Sequence, residues 1–298
     1  MYDVFTKTMR LFIVFSFLPI FCHSRNSLIK HRDGIHLHSS NSTSPSRTTT
    51  LNALTCVSTY LPNSATVDVR SIMKAFYTSW IATTQSQSFL LIVDDNSQPE
   101  YRSFLVDPSS RQRHRVAVLL KSNNGGIARS KNSCFQYFSD KKFEHLFLAD
   151  HDIFFRKYGW QELYISTAII SGIQHFSFFV GNGPQYDFNY SRVIVSGIPA
   201  LNGCMLYMTQ SVVTKIGGMH VLPEKWGHEH TLFSLRAIHS GFAPFFVDVA
   251  RSEEYLGMLT WESVISSNLK TNFSAVNGLA VHKIMENITG NLYAPIIE

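Results

Sequence analysis

Three short, unbroken apolar runs constrain this chain most: Phe89–Val93 (FLLIV), Val116–Leu120 (VAVLL) and Leu146–Ala149 (LFLA). A strand with no polar side chain must be covered on both faces, which is the condition of a parallel sheet lying between helices. The intervening residues agree. Leu54–Tyr60 (LTCVSTY) reads as a further strand, stopped at Leu61-Pro62-Asn63 because proline cannot donate to a central ladder. Val69, Ile72, Met73, Phe76, Trp80 and Ile81 recur at helical spacing. After VAVLL comes the turn cluster Ser122-Asn123-Asn124-Gly125-Gly126, then a helix carrying Ile127, Cys134 and Phe138. The predicted order is strand, helix, strand, loop, strand, helix, strand, an α/β fold with a mostly parallel central sheet.

In open parallel sheets ligands bind outside the carboxyl ends of the strands. Here that edge collects Ser58 and Tyr60, Asp94 and Asp95, and Asp150 and Asp152. The last pair, in Glu144–Phe155 (EHLFLADHDIFF), stands where a buried strand exits. Two carboxylates two residues apart can reach one hard divalent cation, and that cation can hold a phosphate. An isolated Asp-x-Asp triplet is more often a solvated turn; the convergence of several strand ends carries the reading.

Downstream, Gln161–Ile170 reads as a helix and His175–Val180 as a strand, followed by the Gly/Pro/Asn-rich loop GNGPQYDFNYS. Val193–Val195 and Cys204–Met208 read as shorter strands of a mixed sheet. Ser211–Ile216 is a helix closed by Gly217-Gly218, a glycine cap. A second polar cluster, LPEKWGHEH, spans Leu222–His230 and runs into a helix ending at Gly241; Pro244–Val249 is the final strand. No internal repeat is visible.

The 298 residues are 45% hydrophobic and 16% charged, enough for a sizeable core. The net charge of +5 favours an anionic substrate such as a nucleotide. Basic residues are scattered apart from Arg111, Arg113, His114 and Arg115, which read as a solvated loop, so no nucleic-acid partner is expected. Lys7 and Arg10 precede the apolar run Leu11–Cys22, which is short for a bilayer span and suits a signal peptide. Residues 1–24 are therefore expected to be a signal peptide or a short signal-anchor, the latter attaching the protein to a membrane. Residues 25–50 form a Ser/Thr-rich stem expected to be disordered, and the folded domain occupies 51–298. The corresponding location is the secretory pathway, in the Golgi or ER lumen or secreted, or the cytoplasm if the apolar segment is no signal. Sequons at Asn41, Asn189, Asn272 and Asn287 lend this weak support as a glycoprotein. The cysteines at 22, 56, 134 and 204 have no metal-ligand spacing and read as buried thiols.

Six segments in order, LTCVSTYLPN, LIVDDNS, NNGGIARSKN, LFLADHDIFF, GCMLYMTQSVVTKIGGM and WGHEHTLFSLRAIHSG, resemble the GT-A fold glycosyltransferases. The similarity is to the large inverting family that includes chondroitin-polymerase-like and bacterial surface-polysaccharide enzymes, and it covers roughly Leu54 to Gly241. The resemblance implies a Rossmann-like GT-A fold with a smaller mixed sheet toward the acceptor side. It implies donor contacts from Ser58, Tyr60, Asp95, Gly126, Arg129 and Asp150. It further implies a DxD motif at Asp150 and Asp152 holding Mn²⁺ or Mg²⁺, with His282 in GLAVHKI as a third ligand. The WGHEH segment lies where the family has its Glu-Asp motif, so Glu229 and His230 are the candidate bases, and Trp226 is a candidate platform for the acceptor sugar. Here the chain departs from the family: His230 stands where the Asp is usual.

The implied activity is transfer of a sugar from a nucleotide donor, foremost a UDP-sugar, to the hydroxyl of a glycan or glycoconjugate with inversion. Charge developing on the departing diphosphate calls for a Lewis acid, and the incoming hydroxyl calls for a base. A non-catalytic secreted carbohydrate-binding relative of the same fold is the alternative from another class. A nucleotidyltransferase ranks below both, because LPNSATVDVR lacks the Gly-rich loop such enzymes place after the first strand.

Overall fold

The computed structural model describes residues 52–61, 69–85, 87–106, 115–180, 185–198, 203–225, 227–259 and 294–296. All belong to one compact unit, Thr49–Glu298. The expectations for the N-terminal segment and stem, for Trp226 and His282, and for the sequons at 41, 272 and 287 lie outside these residues. Among the described residues no helix is long and apolar enough to cross a membrane.

The central sheet has the strand order β3-β2-β1-β4-β9-β6. Its strands β1 (Ala53–Thr59), β2 (Phe89–Asp94), β3 (Arg115–Leu120) and β4 (His145–Asp150) are parallel. On the far side β9 (Met205–Thr209) runs antiparallel to β4, and β6 (His175–Ser177) runs antiparallel to β9. The fold class is thus the expected one, an α/β fold with a mostly parallel central sheet. Strand alternation divides β1 between two cores. Ala53, Val57 and the Thr55 hydroxyl face α1 (Val69–Thr83) and α4 (Trp160–Ser171); Trp80 Nε1 and Gln161 Nε2 donate to that hydroxyl at 3.0 and 3.2 Å. Leu54 and Cys56 face α3 (Ile127–Asp140) and α6 (Glu229–His239), packing with Phe135, Phe138, Leu146, Leu148 and Phe233. Both faces of β1, β2 and β4 are therefore dry, as their apolar runs require; β3, although its run is all apolar, is the edge strand, half-buried and with Leu119 and Leu120 exposed, so full cover is not met there.

The structure departs from the sequence reading in further places. First, α2 (Pro99–Val106) forms where a loop was expected, with proline at the first helical position, where the missing N–H costs nothing. Second, β7 (Tyr186–Tyr190) forms inside the Gly/Pro/Asn-rich stretch. It turns at Ser191, whose φ is 58°, to pair with β8 (Val193–Gly197), which pairs in turn with β10 (Val247–Val249). The alternation Tyr186, Phe188, Tyr190 against Asp187, Asn189 is the signal that the flanking glycines obscured. Third, Cys56 and Cys134, read as thiols, are joined as a disulfide across a Cα–Cα distance of 5.9 Å, linking β1 to α3. Cys204 remains a buried free thiol.

Two remaining strands frame the end of β4. After the Asp150-His151-Asp152 turn, β5 (Ile153–Phe155) pairs with β11 (Leu256–Met258), a strand beyond Pro244–Val249, which the sequence reading takes as the last, and Leu259 N donates to Asp152 O at 2.8 Å. The short helix α5 (Gln210–Ile216) ends at Gly217, which bridges to Ala294.

Candidate functional site

Parallel register brings the polar strand ends together. Ser58 is the partner of Asp150 across β1 and β4, and Thr59 is the partner of Asp94 across β1 and β2. The two acids after β2 then divide their work. Asp94 is fully buried; it receives the Ser97 amide and pairs with Arg102 at 2.9 Å, so it locks the turn into α2. Asp95 looks the other way. Its two oxygens accept the amides of Gly125 and Gly126 at 2.9 and 2.8 Å, with the Lys121 ammonium 3.5 Å away.

Those amides belong to the turn that opens α3. Gly126 has φ +83°, and a Cβ there would lie 2.7 Å from Lys225 O, so backbone conformation and close approach both demand glycine. The next amide, Ile127 N, donates to the same Lys225 O at 3.0 Å. One turn therefore joins the carboxyl end of β2 to the segment that leads into Glu229. Arg129 packs over Gly125, where a Cβ would fall 2.8 Å from its Cδ. Tyr60, just past β1, is exposed, and the Ser58 backbone is a hydrogen-bond partner of His151.

Alternation on β4 decides where Asp150 points. Leu146 and Leu148 face α3, so Asp150, two residues on, does too. There it meets Lys131, whose Nζ is 2.6 Å from Asp150 Oδ1 and whose side chain is fully buried. The Lys131 ammonium also hydrogen-bonds His230 Nε2, and His230 Nδ1 is 2.9 Å from Glu229 Oε1. Asp150, Lys131, His230 and Glu229 form a continuous chain from the end of β4 to the first turn of α6. That turn is aimed by Gly227 and His228, at φ 105° and 65°, and Gly203 leaves room for the ring: a Cβ on it would be 2.5 Å from His230 Nδ1.

Lys131 has no role in the sequence reading, yet its signal is present. It lies three, four and seven residues before Cys134, Phe135 and Phe138, on the buried stripe of the helix. A lysine there needs partners.

Burial tunes the acids oppositely. Desolvation, with the Asp150 carboxylate adding to it, pushes Asp152 up to about 7. Burial also pushes Glu229 upward, but contacts with His230 and Lys131 outweigh it and hold Glu229 at about 2. Asp152 is buried, and its Oδ1 has no hydrogen-bond partner. A desolvated carboxylate oxygen without a donor suits a cation, and Asp150 and Asp152 supply the hard oxygen ligands that Mn²⁺ or Mg²⁺ takes. Among the described residues no cluster of three His, Cys, Asp or Glu side chains completes such a site.

A surface cavity of about 260 Å³ between Gly172, Tyr190 and Phe242 holds no acid, and a neighbouring one is lined by His145 at the start of β4. The convergent chemistry is at the other end of the strands.

No family model matches the chain. A curated relative, "Uncharacterized glycosyltransferase R363" of Acanthamoeba polyphaga mimivirus, is 23% identical over 208 residues, covering 67% of this chain and 78% of the relative. Among solved structures, the mannosyltransferase PcManGT from Pyrobaculum calidifontis, in complex with GDP-Man and Mn²⁺, is similar at TM-score 0.58 and 10% identity, over 79% of this chain and 64% of that one. GalNAc-T7 with UDP, GalNAc and Mn²⁺ is similar at 0.54 and 12%, over 70% and 43%. S. aureus TarS 1–349 is similar at 0.51 and 14%, over 68% and 59%. The chain thus spans less than two thirds of each of these solved chains. All three are GT-A glycosyltransferases, and the fold of this chain is the GT-A fold.

Proposed function

We propose that this chain is a metal-dependent, inverting glycosyltransferase that moves a sugar from a nucleoside-diphosphate donor, foremost a UDP-sugar, to a glycan or glycoconjugate hydroxyl. The observation that carries the reading is the pair Asp150 and Asp152 at the end of β4, in register with Ser58, with a buried Asp152 oxygen lacking a partner. The relative's name and the nucleotide-sugar ligands of the solved neighbours support it.

In this reading Asp150 and Asp152 hold Mn²⁺ or Mg²⁺, with His282 as the further protein ligand. Such an ion supplies Lewis-acid stabilisation of the charge that develops on the diphosphate. Ser58, Tyr60, Gly126 and Arg129 line the nucleotide end. Asp95 fixes the turn at Gly125 and keeps lone pairs for a base edge. Glu229 and His230 serve the acceptor hydroxyl, and Trp226 supplies an apolar face to its sugar. The secretory pathway is the matching location. The Cys56–Cys134 disulfide needs an oxidising compartment, and the Asn189 sequon is exposed on β7.

The test is a screen of nucleotide-sugar donors with Mn²⁺, reading nucleoside-diphosphate release with and without glycan acceptors. Release that requires the metal and fails in Asp152→Asn supports the reading. Binding of donor without release by the wild type, across donors and acceptors, overturns it in favour of a carbohydrate-binding protein.

A further inference from the structure

We propose that Asn189 carries an N-linked glycan and that this glycan shields the open edge of β7. The inference goes beyond the transferase reading: it shares the secretory location with it and requires no catalytic activity.

Strand β7 is the outer strand of the sheet β10-β8-β7, and all five of its residues are exposed. One side of it pairs with β8, and among the described residues no strand pairs with the other. Tyr186, Phe188 and Tyr190, at 63%, 43% and 36% exposure, give this edge the aromatic composition that favours addition of a further strand. Soluble proteins blunt such edges with lysine, proline or a free charge. Tyr186–Tyr190 contains no lysine and no proline, and its one charged residue, Asp187, accepts a hydrogen bond from Ser196 Oγ of the neighbouring strand at 2.6 Å. The edge is long, aromatic and otherwise unguarded.

What the sequence places on it is Asn189-Tyr190-Ser191, an N-x-S acceptor motif. Tyr190 pairs with Val193, so Ser191 and Arg192 make a two-residue turn, with Ser191 at φ 58°. The motif therefore runs off an edge strand into a hairpin turn, and every residue from Asn189 to Arg192 is exposed. Strand alternation puts Asn189 on the face opposite Phe188, whose ring packs against Phe245 at 5.3 Å. The register partner of Asn189 on β8 is Ile194, 51% exposed. A glycan on Asn189 covers that isoleucine and projects past the edge along which another strand would have to approach. The Cys56–Cys134 disulfide belongs to the same oxidising route in which such glycans are attached.

The donor is a lipid-linked oligosaccharide of that compartment. The Asn189 amide nitrogen forms its bond to the anomeric carbon and gives up one proton. The bond from that carbon to the lipid diphosphate breaks, and its electron pair leaves with the diphosphate.

The full chain, expressed in a eukaryotic secretory host, is mapped by peptide mass before and after treatment with peptide N-glycosidase. The peptide bearing Asn189 should appear only after treatment, with Asp at that position, and Asn189→Gln should lose one glycan step on a gel. An unmodified Asn189 peptide in the untreated wild type as the main species overturns the proposal. If Cys56 and Cys134 are joined in that same protein, the secretory location stands and only the glycan falls; if they are reduced, the location falls with it. The shielding role is read by light scattering over a concentration series. Asn189→Gln, which leaves the edge bare, should form larger species than the wild type, whereas Asn189→Lys, which charges the edge without a glycan, should not. Should Asn189→Gln fail to fold, Ser191→Gly removes the motif, suits the positive φ and leaves Asn189 in place. Size distributions equal to the wild type in the glycan-free Gln or Gly variant overturn the shielding role.

Discussion

The Asp95 carboxylate holds the amides of Gly125 and Gly126 at 2.9 and 2.8 Å, so an acid thirty residues upstream fixes the turn that opens α3. Removing it leaves two amides without their acceptor, at roughly 1–3 kcal/mol each where water cannot replace it. Asp95→Ala should lower the urea midpoint and raise the donor KM more than it lowers kcat. Asp95→Asn, which can accept at only one atom, should fall between. An Asp95→Ala protein with wild-type stability would show that the turn holds itself.

Asp152 Oδ1 is buried without a donor, so the charged form gains from a cation. Titration of Mn²⁺ into the protein should raise its melting temperature, and Asp152→Asn should abolish that rise while leaving near-UV circular dichroism intact. A manganese-induced shift that survives in Asp152→Asn would move the ion elsewhere.

Gly203 has φ +71° and touches the His230 ring at the position a Cβ would take. Gly203→Ala combines a left-handed backbone, costing about 1–2 kcal/mol, with displacement of the imidazole. Expected are a lower melting temperature and at least a tenfold loss of transfer; unchanged transfer rates would mean that the ring's seat does not matter.

The disulfide ties β1, which carries Ser58, to α3, which carries Lys131. Cys134→Ser should cost about 2–5 kcal/mol. Alkylation of the denatured, unreduced protein should label Cys204, and Cys22 where the N-terminal segment is retained, and spare Cys56 and Cys134. Labelling of Cys56 and Cys134 would mean that the bond is not formed.

His175 is buried, with Nδ1 bonded to Tyr207 O at 3.0 Å and Nε2 to Ser234 Oγ at 2.8 Å. Burial lowers its pKa from 6.5 to about 4. Between these values the unfolded chain binds a proton that the folded one refuses. The contribution is fully present above pH 6.5 and is lost as pH falls toward 4, on the order of 3 kcal/mol in all. Urea midpoints measured across that window should fall less steeply in His175→Asn than in the wild type.

Much of the sheet is legible because FLLIV and LFLA leave no polar face to expose; VAVLL pairs as read but is not covered, because β3 is the edge strand. The carboxyl-end edge is legible for the same reason, since the acids follow those runs directly. The division of labour between Asp94 and Asp95 is not, because it depends on which strand neighbour each oxygen meets. Cys56 and Cys134 are 78 residues apart, and only the packing of α3 on β1 pairs them. Strand β7 hides among glycines, and Lys131 hides in a helix whose buried stripe was read from its apolar members alone. Glu229 and His230 are visible as a pair, but their contact with Lys131, on another helix, is not.

Adjacent amides at the start of α3 are held by different segments: Gly126 N donates to Asp95 and Ile127 N to Lys225 O. One peptide therefore links the acid after β2 to Lys225, four residues before Glu229, and a change at Asp95 loosens a turn that also anchors that segment.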